Sequence, residues 1–100
     1  MRRLLLALLM LSAALLAACG LSKTPAELAA ESLNKGIEAH NAGRTAEASA
    51  FYYETLSRDP KNKLAFHNLG QIARTQNRAS IAEGYYRQAL EADANFAPSL

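Results

Sequence analysis

Along residues 24–96, apolar side chains recur at helical spacing. Ala48, Tyr52 and Leu56 stand four apart and share one helix face, and Ala82, Tyr86 and Leu90 repeat the arrangement. Gly36 with Ala39, and Gly70 with Ala73, place small residues on one face of the helix that precedes each set. Small residues let two backbones approach, and the ring of Tyr52 or Tyr86 then fills the space beside them. The role expected of these glycines, alanines and tyrosines is core packing. No run alternates apolar and polar positions as a half-buried strand would. The predicted fold class is all-α.

Local chemistry predicts where the helices end. Thr24-Pro25-Ala26-Glu27 is a capping box with proline at the first helical position, and it opens a helix running to about Asn41. Ala42-Gly43 turns the chain into a second helix, from about Thr45 to Arg58. Asp59-Pro60-Lys61-Asn62 stops that helix, because proline cannot continue it. A third helix is expected from Lys63 to Gln76, a turn at Asn77-Arg78, and a fourth helix reaching about Ala92. Ser80 with Glu83 reads as a second capping box, whereas the repeat register starts the fourth helix earlier.

Residues 1–23 follow a different pattern. Met1-Arg2-Arg3 is basic, Leu4 to Ala18 is apolar but for Ser12, and no further charge appears before Lys23. This is the pattern of an export signal. Its end, Leu16-Ala17-Ala18-Cys19, resembles the lipobox of bacterial lipoprotein signal peptides. The resemblance implies removal of residues 1–18, a diacylglyceryl thioether on Cys19 and a short tether over 19–23, usually with acylation of the new amino terminus. The Cys19 thiolate would be the nucleophile for lipid transfer. Each buried methylene contributes about 0.8 kcal/mol, so two or three chains anchor stably where one does not. Gly20 stands where the retention rule of enteric bacteria wants Asp. That implies the periplasmic side of the outer membrane in a two-membrane envelope, and otherwise the outer face of the cytoplasmic membrane. Two other readings stay open. Leu4 to Ser22 is 19 uncharged residues, close to the ~20 that cross a bilayer as an uncleaved anchor. Ordinary secretion is the second, although the nearest approach to its cleavage site, Ser12-Ala13-Ala14, falls inside the apolar run.

Aligning residues 29–62 on 63–96, an offset of 34, gives eight identities. They are Asn34/Asn68, Gly36/Gly70, Ala39/Ala73, Arg44/Arg78, Ala48/Ala82, Tyr52/Tyr86, Leu56/Leu90 and Asp59/Asp93. A period of 34 carrying a small residue, then Ala, then an aromatic resembles the tetratricopeptide repeat over about 70 residues. In the second repeat Phe66, Leu69, Gly70, Ala73, Ala82, Tyr86 and Ala89 fall at the pattern's positions. Ala73 stands where an aromatic is commoner, and Ala94 replaces the closing proline. The first repeat keeps Gly36, Ala48, Tyr52 and Pro60 but departs at Ser32, Lys35, Ala39 and Thr55, which predicts weaker packing. The resemblance implies two stacked antiparallel helix-turn-helix units, about 29–62 and 63–96. They would form a right-handed α-solenoid fragment after an N-terminal apolar signal helix. Such arrays usually need three or more repeats to cover their apolar faces. Residues 97–100 read as the truncated start of a third repeat, with Ala97 at position one and Leu100 at position four. Self-association or docking are the other ways to complete the stack.

In this family the first helix of each unit lines a concave peptide groove. The resemblance points to Leu33, Asn34, Ile37, His40 and Asn41, and to His67, Asn68, Gln71, Arg74 and Thr75. Asn34 and Asn68 are the leading candidates, because an amide both donates to and accepts from a peptide backbone of any sequence. Leu33 and Ile37 stand where relatives that clamp a C-terminal carboxylate carry Lys and Asn, which sets that subtype aside.

Charge and composition narrow the function further. The formal charge is +2, but without Arg2 and Arg3 nine basic residues face nine acidic ones. That balance argues against a nucleic-acid groove. A single cysteine excludes an intrachain disulfide and any multi-cysteine metal site. His40 and His67 lie 27 residues apart without a spaced acidic partner, which argues against a metal site. The five glycines are scattered and form no phosphate loop. No arrangement activates a nucleophile, so neither an enzyme nor a cofactor is expected. The expected partners are proteins or peptides at the concave face and the membrane through Cys19. The expected role is that of an interaction scaffold in a cell-envelope assembly of pilus, secretion or outer-membrane biogenesis type. The alternative is the amino-terminal repeat region of a larger exported enzyme.

Overall fold

The computed structural model describes residues 22–99; the apolar N-terminal segment with its proposed signal helix, Cys19 and Leu100 lie outside them. Four helices follow one another: α1 (Pro25–Asn41), α2 (Thr45–Arg58), α3 (Lys63–Thr75) and α4 (Ala79–Ala92). A 3-10 turn, Ala97–Ser99, comes after them. No strand occurs among the described residues, and no helix among them is long and apolar enough to cross a membrane. The helices pack as two hairpins, α1 on α2 and α3 on α4, joined through a lesser contact of α2 with α3.

The two hairpins turn by the same device. Gly43 (φ 78°) and Asn77 (φ 59°) adopt the left-handed conformation just past α1 and α3. At the first turn Gly43 N–H donates to His40 O (3.0 Å) and Arg44 N–H to Ala39 O (2.8 Å). At the second, Asn77 N–H donates to Arg74 O (3.0 Å) and Arg78 N–H to Ala73 O (2.9 Å). These bonds satisfy the last carbonyls of the outgoing helix. Glycine takes that conformation freely and asparagine at small cost.

The helix starts differ. Thr24 Oγ1 accepts from Glu27 N–H at 3.1 Å, with Pro25 at the first position, which is the N-cap half of the expected capping box. Asn62 Oδ1 accepts from Ala65 N–H at 2.9 Å and caps α3. The capping box expected at Ser80 and Glu83 does not form. Helix α4 already begins at Ala79, with Arg78 as its uncapped N-terminal residue. The turn bonds to Ala73 and Arg74 deliver the chain into the helix earlier, and Glu83 instead pairs with Arg87 at 3.3 Å. Helix α3 stops at Thr75, one residue short of the expected end, with Gln76 as its C-cap.

The core is one cluster of Leu33, Ala39, Ala48, Tyr52, Ala65, Leu69 and Ile72, with Ile37, Phe51, Leu56 and Tyr85 packed against it. Full burial of each large side chain contributes about 1.5–3 kcal/mol. Tyr52 is wholly buried, and a Cβ added at Gly36 would fall 2.6 Å from its Cε1. Gly70 stands in the same relation to Tyr86, also at 2.6 Å, but Tyr86 is only half-buried. The glycines therefore make room for the rings, as the four-residue spacing predicts.

Two of the polar departures of the first repeat sit together. Ser32 and Thr55 are both buried, and their hydroxyl oxygens lie 2.9 Å apart. No buried side-chain polar atom among the described residues lacks a partner. The second hairpin is tied at its open end by Lys63 Nζ to Asp93 Oδ2 at 2.6 Å. The Lys63 hydrogen bond, and then the Asn95 N–H, hold the Asp93 carboxyl below the usual carboxylate range.

Candidate protein-interaction site

The residues singled out on α1 divide into three groups. Leu33 is buried, and Ile37 is half-buried against the cluster that contains Ala65 and Leu69 of α3. Both belong to the cluster that runs through the two hairpins. Asn34 and Asn41 stand exposed on α1. His40 is tied back to the core, its Nδ1 lying 3.3 Å from the Tyr52 hydroxyl and its ring meeting Tyr52 edge-on at 6.3 Å.

On α3, positions 67, 68, 71, 74 and 75 follow one another around a single face. The structure brings His67, Gln71 and Arg74 together at a cleft of about 330 Å³, completed by Tyr86, Pro98 and Ser99. His67 Nδ1 is 2.9 Å from Ser99 Oγ, and its ring meets Phe96 edge-on at 5.6 Å and Tyr86 at 5.5 Å. Burial first, and the Arg74 charge second, hold the His67 imidazole below its ordinary pKa. Its neutral form is thus favoured, and a neutral imidazole both donates and accepts. Asn68 is half-buried, Arg74 and Thr75 are exposed, and the Thr75 hydroxyl is spent on Ile72 O at 2.8 Å.

Sequence reading missed Tyr86, Phe96, Pro98 and Ser99 as lining of this face. The offset held the signal. Leu33 and Ile37 plus 34 are His67 and Gln71, and residues 97–99 fall in the register of the first turn of α3. The hydrogen bond of Asn62 N–H to Asp59 O recurs as Phe96 N–H to Asp93 O, both at 3.1 Å. The face that is apolar on α1 is polar on α3 and partly covered by the turn.

Among the described residues no group of His, Cys, Asp and Glu is arranged to hold a metal ion. The face can exchange hydrogen bonds through Asn68, Gln71 and the His67 edge, and it offers one cation, Arg74. That chemistry suits a polypeptide.

Residues 65–96 match the tetratricopeptide repeat. The match spans most of α3, all of α4 and the residues up to the 3-10 turn. No curated protein and no solved structure matches the chain. Tetratricopeptide repeats generally bind other proteins, and the four described helices have the paired arrangement of such repeats. His67, Asn68, Gln71 and Arg74 all lie within the matched segment.

Proposed function

We propose that the chain is a lipid-anchored interaction module of a bacterial cell envelope and has no catalytic role of its own. In this reading α1 and α3 receive a peptide segment of a partner protein. The observation that carries it is the matched repeat at 65–96 with its α3 face bearing Asn68, Gln71, Arg74 and the edge of His67. Asn34 extends the polar line onto α1. The anchor rests on Leu16-Ala17-Ala18-Cys19 and the basic, then apolar, run before it. Gly20 favours an outer-membrane address where the envelope has one. Only Gly20 to Lys23 separate Cys19 from the Thr24 cap, a reach of about 18 Å at most. Lys23 is itself ion-paired with Glu31 of α1, which keeps the helices close to the lipid surface. Assemblies of pilus, secretion or outer-membrane biogenesis type fit such a scaffold.

The test is made in the native envelope with the full chain. Cys19→Ala is expected to leave the precursor uncut and without palmitate label; label persisting in that variant overturns the anchor. Crosslinking followed by mass spectrometry is expected to recover a partner peptide on α3. Asn68→Ala should reduce that yield while helicity by circular dichroism holds. An unchanged yield removes Asn68 from the site.

A further inference from the structure

We propose a second protein-docking site, on the side of α3 turned away from His67 and Arg74, for a partner segment in which a large apolar side chain is flanked by a carboxylate. It is a cleft of about 320 Å³ between α2 and α4, with α3 beneath. It uses none of the α1 and α3 residues assigned to the peptide face. Leu69 and Ile72 form its floor, at 2% and 4% exposure. Tyr53 of α2 and Ile81 and Tyr85 of α4 are its walls, and Tyr53 (54%) and Ile81 (51%) are the most exposed large apolar residues described. The hydroxyls of Tyr53 and Tyr85 meet at 3.1 Å and tie the walls together. Arg78 stands among the lining residues, where the turn enters α4.

Charge selects the occupant. In the first hairpin Arg44 is neutralised by Glu47 at 3.4 Å. The 34-residue offset replaces Arg44 with Arg78 but Glu47 with Ile81. One substitution in the register thus removes the guanidinium's carboxylate and exposes an apolar side chain in its place. No Asp or Glu lines the cleft, and among the described residues Arg78 meets no carboxylate. A desolvating apolar floor, two tyrosines and an uncompensated arginine are the side chains enriched where proteins bind one another. An Asp or Glu beside the inserted apolar group completes the charge-assisted pair. A lipid surface fits less well, because it can reach Ile81 and Tyr53 but not the recessed floor.

The chain carries three isoleucines, Ile37, Ile72 and Ile81. They report separately on the α1 face, the cleft floor and the cleft wall. The experiment places the full chain, methyl-labelled at isoleucine, in phosphatidylcholine nanodiscs and titrates it with an acetylated, amidated Asp-Leu-Phe-Asp peptide. Saturable shifts are expected at Ile72 and Ile81 and not at Ile37. The Asn-Leu-Phe-Asn counterpart should bind about fivefold more weakly, the upper end for an exposed ion pair. Arg78→Gln should lose the same factor. Ile81→Glu, which copies the first hairpin, should abolish the Ile72 shift. Both substitutions are at exposed positions, and an unchanged Ile72 resonance in the free variants shows the floor intact. Equal affinity for the two peptides, shifts confined to Ile37, or no saturable shift overturns the proposal. So does an Ile81 resonance that moves when phosphatidylglycerol is added without peptide, which would make the patch a lipid contact.

Discussion

Ser32 on α1 and Thr55 on α2 share a hydrogen bond of 2.9 Å inside the first hairpin, where neither side chain reaches solvent. Ser32 Oγ also lies 3.0 Å from Ala29 O, and Thr55 Oγ1 lies 2.8 Å from Phe51 O. Two hydroxyls bring two protons to these three contacts, so one hydroxyl donates to the other while the other donates to its own helix. The 34-residue offset puts Phe66 and Ala89 at the same positions of the second hairpin. One hairpin carries two buried small polar residues there, and the other a half-buried large apolar one and a buried small one.

A double-mutant cycle tests that exchange. Ser32→Phe alone overfills the site beside Thr55 and should cost about 1–3 kcal/mol. Thr55→Ala alone leaves a small void and an unshared hydroxyl, costing about 1–2 kcal/mol. Together they copy the second hairpin and should cost less than the sum by about 0.5–3 kcal/mol in urea unfolding. Simple additivity would mean that the two positions do not share one space.

Gly36→Ala and Gly70→Ala should differ although an added Cβ would meet a tyrosine ring at the same 2.6 Å in each. Alanine gains about 1 kcal/mol over glycine in a helix, against about 1–3 kcal/mol for overpacking. Tyr52 is wholly buried and cannot yield, so Gly36→Ala should be destabilising by about 1–2 kcal/mol. Tyr86 is half-buried and can swing, so Gly70→Ala should be close to neutral. Thermal unfolding of the two variants side by side decides this.

Tyr85 should titrate late. Burial first, and the hydrogen bond with Tyr53 second, push its phenol up to about 12 from an ordinary 10.0. The folded value lies above the unfolded one. The stability Tyr85 contributes is therefore complete below pH 10 and is lost as pH rises through about 12. Phenolate absorbance should show one tyrosine moving back toward its ordinary value in Tyr53→Phe. An unmoved titration would show that the hydroxyl pair is not what holds it.

His67 runs in the other sense. Its folded pKa is lowered from the ordinary 6.5, chiefly by burial. Its contribution is present above pH 6.5 and is lost as pH falls through the folded value. Acidification should loosen Ala97–Ser99 from α3, seen as lower protection of the Ser99 amide relative to its intrinsic exchange rate at each pH. The same loosening in His67→Gln would assign the effect to another group.

The helical hairpins are legible in the sequence because their devices are local. Thr24 and Pro25 start a helix, Gly43 and Pro60 stop one, and Gly36 sixteen residues before Tyr52 recurs 34 residues later as Gly70 and Tyr86. Each of these acts within a few turns of chain, where spacing alone sets which face a side chain takes. The start of α4 follows the repeat register and not the capping motif at Ser80 and Glu83, because the turn bonds to Ala73 and Arg74 prevail.

Residue types and their period thus determined by themselves that this chain pairs helices, where it turns, and which rings meet which glycines. Tertiary structure alone decided how equivalent positions diverge. Leu33 is covered while His67 meets a turn; Ser32 finds Thr55; Arg78 stands at a cleft walled by Tyr53 and Tyr85. The reason is physical: a repeat prescribes the backbone, but what covers a side chain depends on the neighbour stacked against it, and no two units of the stack have the same neighbours.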